Sequence, residues 1–196
     1  MKLHYSFKTL LMTLVVGSTS LVAETIVLNE DDGSGKILRI TSPDELHLDP
    51  DTIVVAVDVF GNEDSEVNGV LFQTDKTDDD TIGVVERDSV RVDLESTHFI
   101  DGWAAAPDFV GGDGNSAENL SAIMEDIRWS QAPNPLTMDV SGLAAGGLYE
   151  VQILVNEGAD RDRHWDISVN DVLTVDDFTS EGTNEDPDVW SPENNF

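Results

Sequence analysis

The side chains best equipped for chemistry in this sequence are its acids, and three groups of them are crowded enough to hold a cation. Asp160, Asp162 and Asp166 surround Arg161 and Arg163. Asp75, Asp78, Asp79 and Asp80 fill a second stretch, and Asp31 and Asp32 a third. Calcium takes six to eight oxygens from a curved loop, so alternating aspartates are the pattern to seek. Asp160, Asp162 and Asp166 are therefore the candidate calcium ligands. Neutralisation by Arg161 and Arg163 is the competing role for the same acids. An EF-hand fails in the second group, because counting from Asp78 puts Ile82 fifth and Ser89 twelfth. That run reads as a solvated loop. Flat apolar faces suited to sugar C–H surfaces come from Trp103 and Phe109, in the glycine-rich stretch Thr97 to Asn115. Asp113, Arg161 and Arg163 are the polar groups that would hold hydroxyls beside them. The competing role for the two rings is to plug one end of a core.

Catalytic patterns are missing. The histidines are His4, His47, His98 and His164, and none belongs to an H-E-x-x-H pair. No serine sits in a G-x-S-x-G elbow, and no glycine-rich phosphate loop joins a strand to a helix. With 40 acids in the chain, carboxylate pairs arise by chance, so composition cannot single out a glycosidase pair. The absence of cysteine removes disulfides and thiolate chemistry. The sequence points to a protein that is not an enzyme.

The address comes from the first 23 residues. Lys2 and Lys8 give a positive start, Leu10 to Val16 an apolar run too short to span a bilayer, and Ser18 to Ala23 a small-residue exit. This predicts a cleaved signal peptide over 1–23 and a secreted, periplasmic or cell-surface protein. The net charge is −30, and losing Lys2 and Lys8 leaves 8 basic residues against 40 acidic ones, or −32. Long-range repulsion then excludes nucleic acid and anionic membrane as partners. Such a surface fits salty water, where self-repulsion is screened.

The elements that must position these residues are mostly strands. Tyr149 to Val155 alternates apolar and polar residues, and so does Trp165 to Val169, with Trp165 expected in the core. Asn170-Asp171 supplies a tight turn into Val172 to Val175. Thr52 to Phe60 is apolar on both sides and reads as a central strand. Val67 to Gln73, Ser89 to Leu94 and Leu136 to Val140 are further strands, and Thr25 to Leu28 with Lys36 to Ile40 forms a hairpin. A helical turn fits Pro43 to Leu46. One helix is predicted over about 116–127, capped by Asn115 with Glu118 as partner, and Arg128 and Trp129 end it. The expectation is an all-β, jelly-roll-like antiparallel β-sandwich over 24–178, followed by an irregular tail over 179–196.

The stretch GLYEVQILVNEGADRDRHWDISVNDVLTVDDF resembles the closing part of malectin-like, galactose-binding-type β-sandwich modules. The shared positions are Tyr149, Val151, Arg163, Trp165, Asp166, Ile167, Val169, Asn170, Asp171 and the pair Asp177-Phe178. VVAVDVFGNEDSEVNGVLF and the segment ending IRWS are similar to secreted bacterial proteins of this kind. The resemblance implies a jelly roll and recognition of a glycan or cell-envelope polysaccharide. Malectin's sugar-contacting tyrosines have no counterpart here, since Tyr149 is the one tyrosine after the leader and occupies a core position. Two other roles stay open: a structural or adhesive envelope protein without a small-molecule site, and an accessory module of a glycoside hydrolase.

Overall fold

The computed structural model describes residues 2–6, 13–18, 38–75, 81–100, 102–103, 108–147, 149–156, 164–179 and 189–191. In chain order the strands are β1 (Lys2–Ser6), β2 (Thr13–Ser18), β3 (Leu38–Ile40), β4 (Ile53–Asp58), β5 (Ser65–Val67), β6 (Val70–Thr74) and β7 (Ile82–Arg87). They continue as β8 (Val90–Glu95), β9 (His98–Ile100), β10 (Ile127–Trp129), β11 (Thr137–Ser141), β12 (Tyr149–Asn156), β13 (His164–Val169), β14 (Val172–Thr179) and β15 (Val189–Ser191). The α-helix among the described residues is α1 (Ser116–Glu125). The fold is β-rich and mainly antiparallel.

One sheet runs β14-β13-β1-β11-β8-β7 and a second runs β3-β15-β12-β2-β4-β6-β5, while β9 and β10 form a separate two-stranded ribbon. The pairing of β4 with β6 is parallel. Its register sets Asp58 beside Thr74, so the C-terminal ends of both strands deliver polar groups to one place.

Two apolar clusters follow from the period-2 alternation. Val55 and Val57 of β4 join Val92, Leu94, Met138, Ile153 and Ile167, which draws on both large sheets. Ala56, on the opposite face of β4, joins Phe72, Leu154 and the Leu120, Ile123 and Met124 stripe of α1. Burial on both faces accounts for the continuous apolar run that marks β4 in the sequence.

Several elements differ from expectation for identifiable reasons. Val67 to Gln73 is not one strand but β5 and β6 joined at Asn68-Gly69, where φ is +47° and +78°. Asn-Gly is the preferred pair for such a turn, and here it outweighs the apolar residues flanking it. β7 was hidden behind the acidic run before it. The helix ends at Glu125, and Ile127–Trp129 leaves it as a strand instead of prolonging the apolar face. Asn115 makes no side-chain cap bond; the capping box lies instead at Ser42 and Glu45, around the short 3-10 turn Pro43–Leu46. The expected turn at Asn170-Asp171 is present, with φ of +52° and +64°.

The stretch read as tail contributes β15, which pairs with β12 and β3. Two strands, β1 and β2, come from the stretch read as leader. The first expected hairpin strand, Thr25 to Leu28, lies outside the described residues, and of its partner only β3 is described. No described helix is long and apolar enough to cross a membrane.

Candidate functional site

The β9–β10 ribbon has two faces with different chemistry. Its register places Trp129 opposite His98, Arg128 opposite Phe99 and Ile127 opposite Ile100. Directly paired residues share a face and neighbours along a strand alternate. Arg128 and Phe99 therefore point one way, and His98 and Trp129 the other.

The inward face meets the converging ends of β4 and β6. Arg128 is fully buried. Its Nη2 lies 2.5 Å from Oδ2 of Asp75, whose side chain is equally buried, and also donates to the Ile82 carbonyl at 3.3 Å. Nε donates to the Val59 carbonyl at 2.8 Å, and Nη1 to the Ser96 hydroxyl at 3.4 Å. The guanidinium carbon sits 5.3 Å from the centre of the Phe60 ring, which in turn packs on Phe99 at 3.8 Å. Asp75 spends its other oxygen on the Val84 N–H at 3.0 Å. Both charges thus find full partners, the condition under which a buried pair persists. Gly83 is required by space: a β-carbon there would lie 2.5 Å from Asp75 Oδ2 and 3.1 Å from Arg128 Nε.

Beside the pair sits Asp58, 2% exposed, with a weak hydrogen bond from the Phe60 N–H at 3.5 Å. Burial pushes its carboxyl well above the usual range, and the nearby charges of Asp126 and Asp64 push the same way. Thr74 ties the loop above it, donating its N–H to Asp64 Oδ1 at 3.1 Å and its hydroxyl to the Gly61 carbonyl.

The opposite face carries a stacked pair of rings, of which His98 reaches solvent, next to the buried Ile127. The His98 imidazole stacks on the Trp129 indole at 4.1 Å with 13° between the planes. His98 is exposed and Trp129 half-buried. Nδ1 of His98 pairs with the Thr97 hydroxyl at 2.8 Å, and that hydroxyl also accepts from the Gln131 N–H at 2.7 Å. The Trp129 indole N–H is buried without an acceptor. The stack lays the exposed imidazole over one face of the indole, so the flat ring turned to solvent is that of His98.

The expected site residues are dispersed. Phe109 is 7% exposed and packs with Leu120, Ile123 and Met124, so it plugs the core. Trp103 is half-buried, its backbone N–H bonded to the Glu125 carbonyl at 2.8 Å and its indole N–H without an acceptor. Asp113 is exposed, yet its loop is tightly tied. Its N–H donates to Asn68 Oδ1 at 3.0 Å, its carbonyl accepts from the Ser116 hydroxyl at 2.6 Å, and the Gly112 N–H donates to Asp44 at 3.3 Å. Asp166 is half-buried on β13, where its backbone lies opposite Ser6. Asp160, Arg161, Asp162 and Arg163 lie outside the described residues. Among the described residues no group of three or more His, Asp or Glu side chains could hold a metal ion.

Sequence reasoning missed Arg128 and the His98–Trp129 pair as a unit, and it placed Asp75 in a solvated loop, whereas Asp75 is buried against Arg128. One signal was available: an arginine flanked by Ile127 and Trp129 in a chain with few cations. No family model matches this chain, and neither a curated protein nor a solved structure is significantly similar to it.

Proposed function

We propose that the chain is a secreted, non-catalytic carbohydrate-binding module built as a jelly-roll-like antiparallel β-sandwich of the malectin type. The sandwich is supported by the apolar cluster that draws on both large sheets. The observation that carries the function is the exposed His98 ring stacked on Trp129, on the face of the ribbon opposite Arg128. A flat ring backed by an indole, with a ring nitrogen at its edge, suits a pyranose, which presents C–H groups to the plane and hydroxyls at its rim. This moves the expected contact surface from the glycine-rich loop to the ribbon.

The test is a glycan array probed with the secreted protein, followed by titration of any hit. Binding to a restricted set of glycans, weakened at least about tenfold by Trp129→Ala, a loss of about 1.4 kcal/mol, supports this reading. A folded protein that binds no glycan overturns it. Repeating the titration with calcium and then with chelator tests the proposed calcium role of the 160–166 acids.

A structural or adhesive envelope role is the second reading. It is favoured by the Asp113 loop, whose backbone groups are bonded to Asn68, Asp44 and Ser116 of the same chain.

A further inference from the structure

The leader reading and the sheet order make a joint demand. β1 lies between β11 and β13, antiparallel to both, and β2 lies between β12 and β4, antiparallel to both. Both strands fall within 1–23. A protein that loses this segment loses an interior strand from each large sheet, and the N–H and C=O groups along the exposed inner edges must find new partners.

The position of β2 is the more demanding. Its register sets Leu14 beside Val57 and Ile153, and Val15 beside Ala56 and Gln152. The flanking Val55, Ala56, Val57 and Leu154 are fully buried. Val55, Val57 and Ile153 face one apolar cluster, whereas Ala56 and Leu154 face the other. The flanks of this position are thus buried on both faces of the sheet. Thr13–Ser18, TLVVGS, suits that position with six uncharged residues. Direct closure of the gap is unfavourable. Because β2 is antiparallel to both neighbours, β4 and β12 run parallel to each other. They would have to pair in a new parallel register while the sheet narrowed by about 4.8 Å, which would pull both clusters apart.

We propose that leader removal opens a strand-binding slot between β4 and β12, and that an extended segment of a partner polypeptide fills it. The segment chemistry is set by the slot: about six residues, uncharged, apolar on both faces, and antiparallel to both flanks, so that main-chain bonds give affinity and burial selects the side chains. A second copy is the poorer donor, since two chains of net charge near −30 repel each other. The proposal rests on the leader reading under the proposed function, and the experiment separates the two.

The secreted protein is isolated as a single chain and its N-terminus fixed by intact mass. A chain that still begins at Met1 overturns the leader reading. A chain beginning near Glu24 is titrated with a synthetic peptide of residues 11–20, LMTLVVGSTS, while hydrogen exchange is followed in β4 and β12. The expected result is that exchange of these amides slows at least tenfold, about 1.4 kcal/mol of protection, while the same peptide carrying Val15→Asp gives none. Equal protection by both peptides, or amides already protected in the processed single chain, overturns the slot. Unprocessed 1–196 protein, in which β2 occupies its place in cis, gives the protected reference.

Discussion

The two faces of the β9–β10 ribbon differ by a single residue step and by nearly everything else. Arg128 and Phe99 turn inward, and each donor of the guanidinium that reaches the interior has an acceptor: Asp75, Val59, Ser96 and Ile82. His98 and Trp129, one position along each strand, turn outward and leave an indole N–H without one. Pairing of the Arg128 and Asp75 charges is what a closed core requires, because a buried charge that loses its partner is strongly destabilising. On the other face the indole N–H is buried without an acceptor, a local cost the fold carries, while the His98 ring beside it stays exposed. The lesson is that burial alone does not mark a site. What sets the two faces apart is that the His98 ring is exposed while Arg128 is closed off from solvent.

The most damaging way to break this contrast is to remove one charge of the inner pair. Arg128→Ala leaves the Asp75 carboxylate buried and uncompensated, and a loss of roughly 3–5 kcal/mol is expected in urea denaturation. The double variant Arg128→Met with Asp75→Leu is expected to recover much of that loss. If the double variant is as unstable as the single one, the ion pair is not the reason Arg128 matters. Gly83→Ala attacks the same pair through space, and a cost of about 1–3 kcal/mol is expected from overpacking against Asp75.

How much of this was legible depends on the kind of signal involved. β8, β11, β12 and β13 were visible because each alternates apolar residues over five or more positions, and β4 because its apolar run is continuous. Asn170-Asp171 was visible because its turn chemistry is local. The split at Asn68-Gly69 was equally local, but the apolar residues on either side masked it. The Arg128–Asp75 pair joins residues 53 positions apart and leaves no periodic trace. Phe109 had two open roles, and the structure selects the plug. Its glycine-rich surroundings suggested an exposed loop, yet the adjoining backbone is anchored to Thr41 and Ser121, which turns the ring into the core.

Asp58 sharpens the comparison by pH. Its carboxyl holds a proton to higher pH in the folded chain than in the unfolded one, where its value is near 3.8. The folded state therefore binds more protons in that window, and this group's contribution makes stability fall as pH rises through it. Asp58→Asn, uncharged at every pH, is expected to remove that fall. Urea midpoints of both proteins between pH 4 and 8 decide the matter. Parallel curves would show that Asp58 is already well partnered.

On the outer face the expected structural effect is smaller and the functional one larger. His98→Ala removes one ring of a stacked pair, worth about 0.5–1.5 kcal/mol. The same change is expected to weaken glycan binding in step with Trp129→Ala. A His98→Ala protein that binds glycan normally would detach the ligand surface from this pair.

The smallest effect belongs to Arg91, which has the contacts of Arg128 without its depth. Its Nε and Nη2 reach Asp93 at 2.7–2.9 Å and its Nη1 reaches Glu86 at 2.5 Å. The side chain is 45% exposed, and Glu86 and Asp93 are 63% and 41% exposed. Hydrogen bonds to the Asp93 and Glu86 carboxylates raise its already high pKa further, but it stays charged in either state across the working range. Water and salt screen this cluster, and holding three long side chains together costs conformational entropy. Arg91→Gln is therefore expected to leave the melting temperature unchanged within error at physiological salt. A shift as large as that of Arg128→Ala would mean that contact geometry, and not burial, sets the worth of an arginine in this fold.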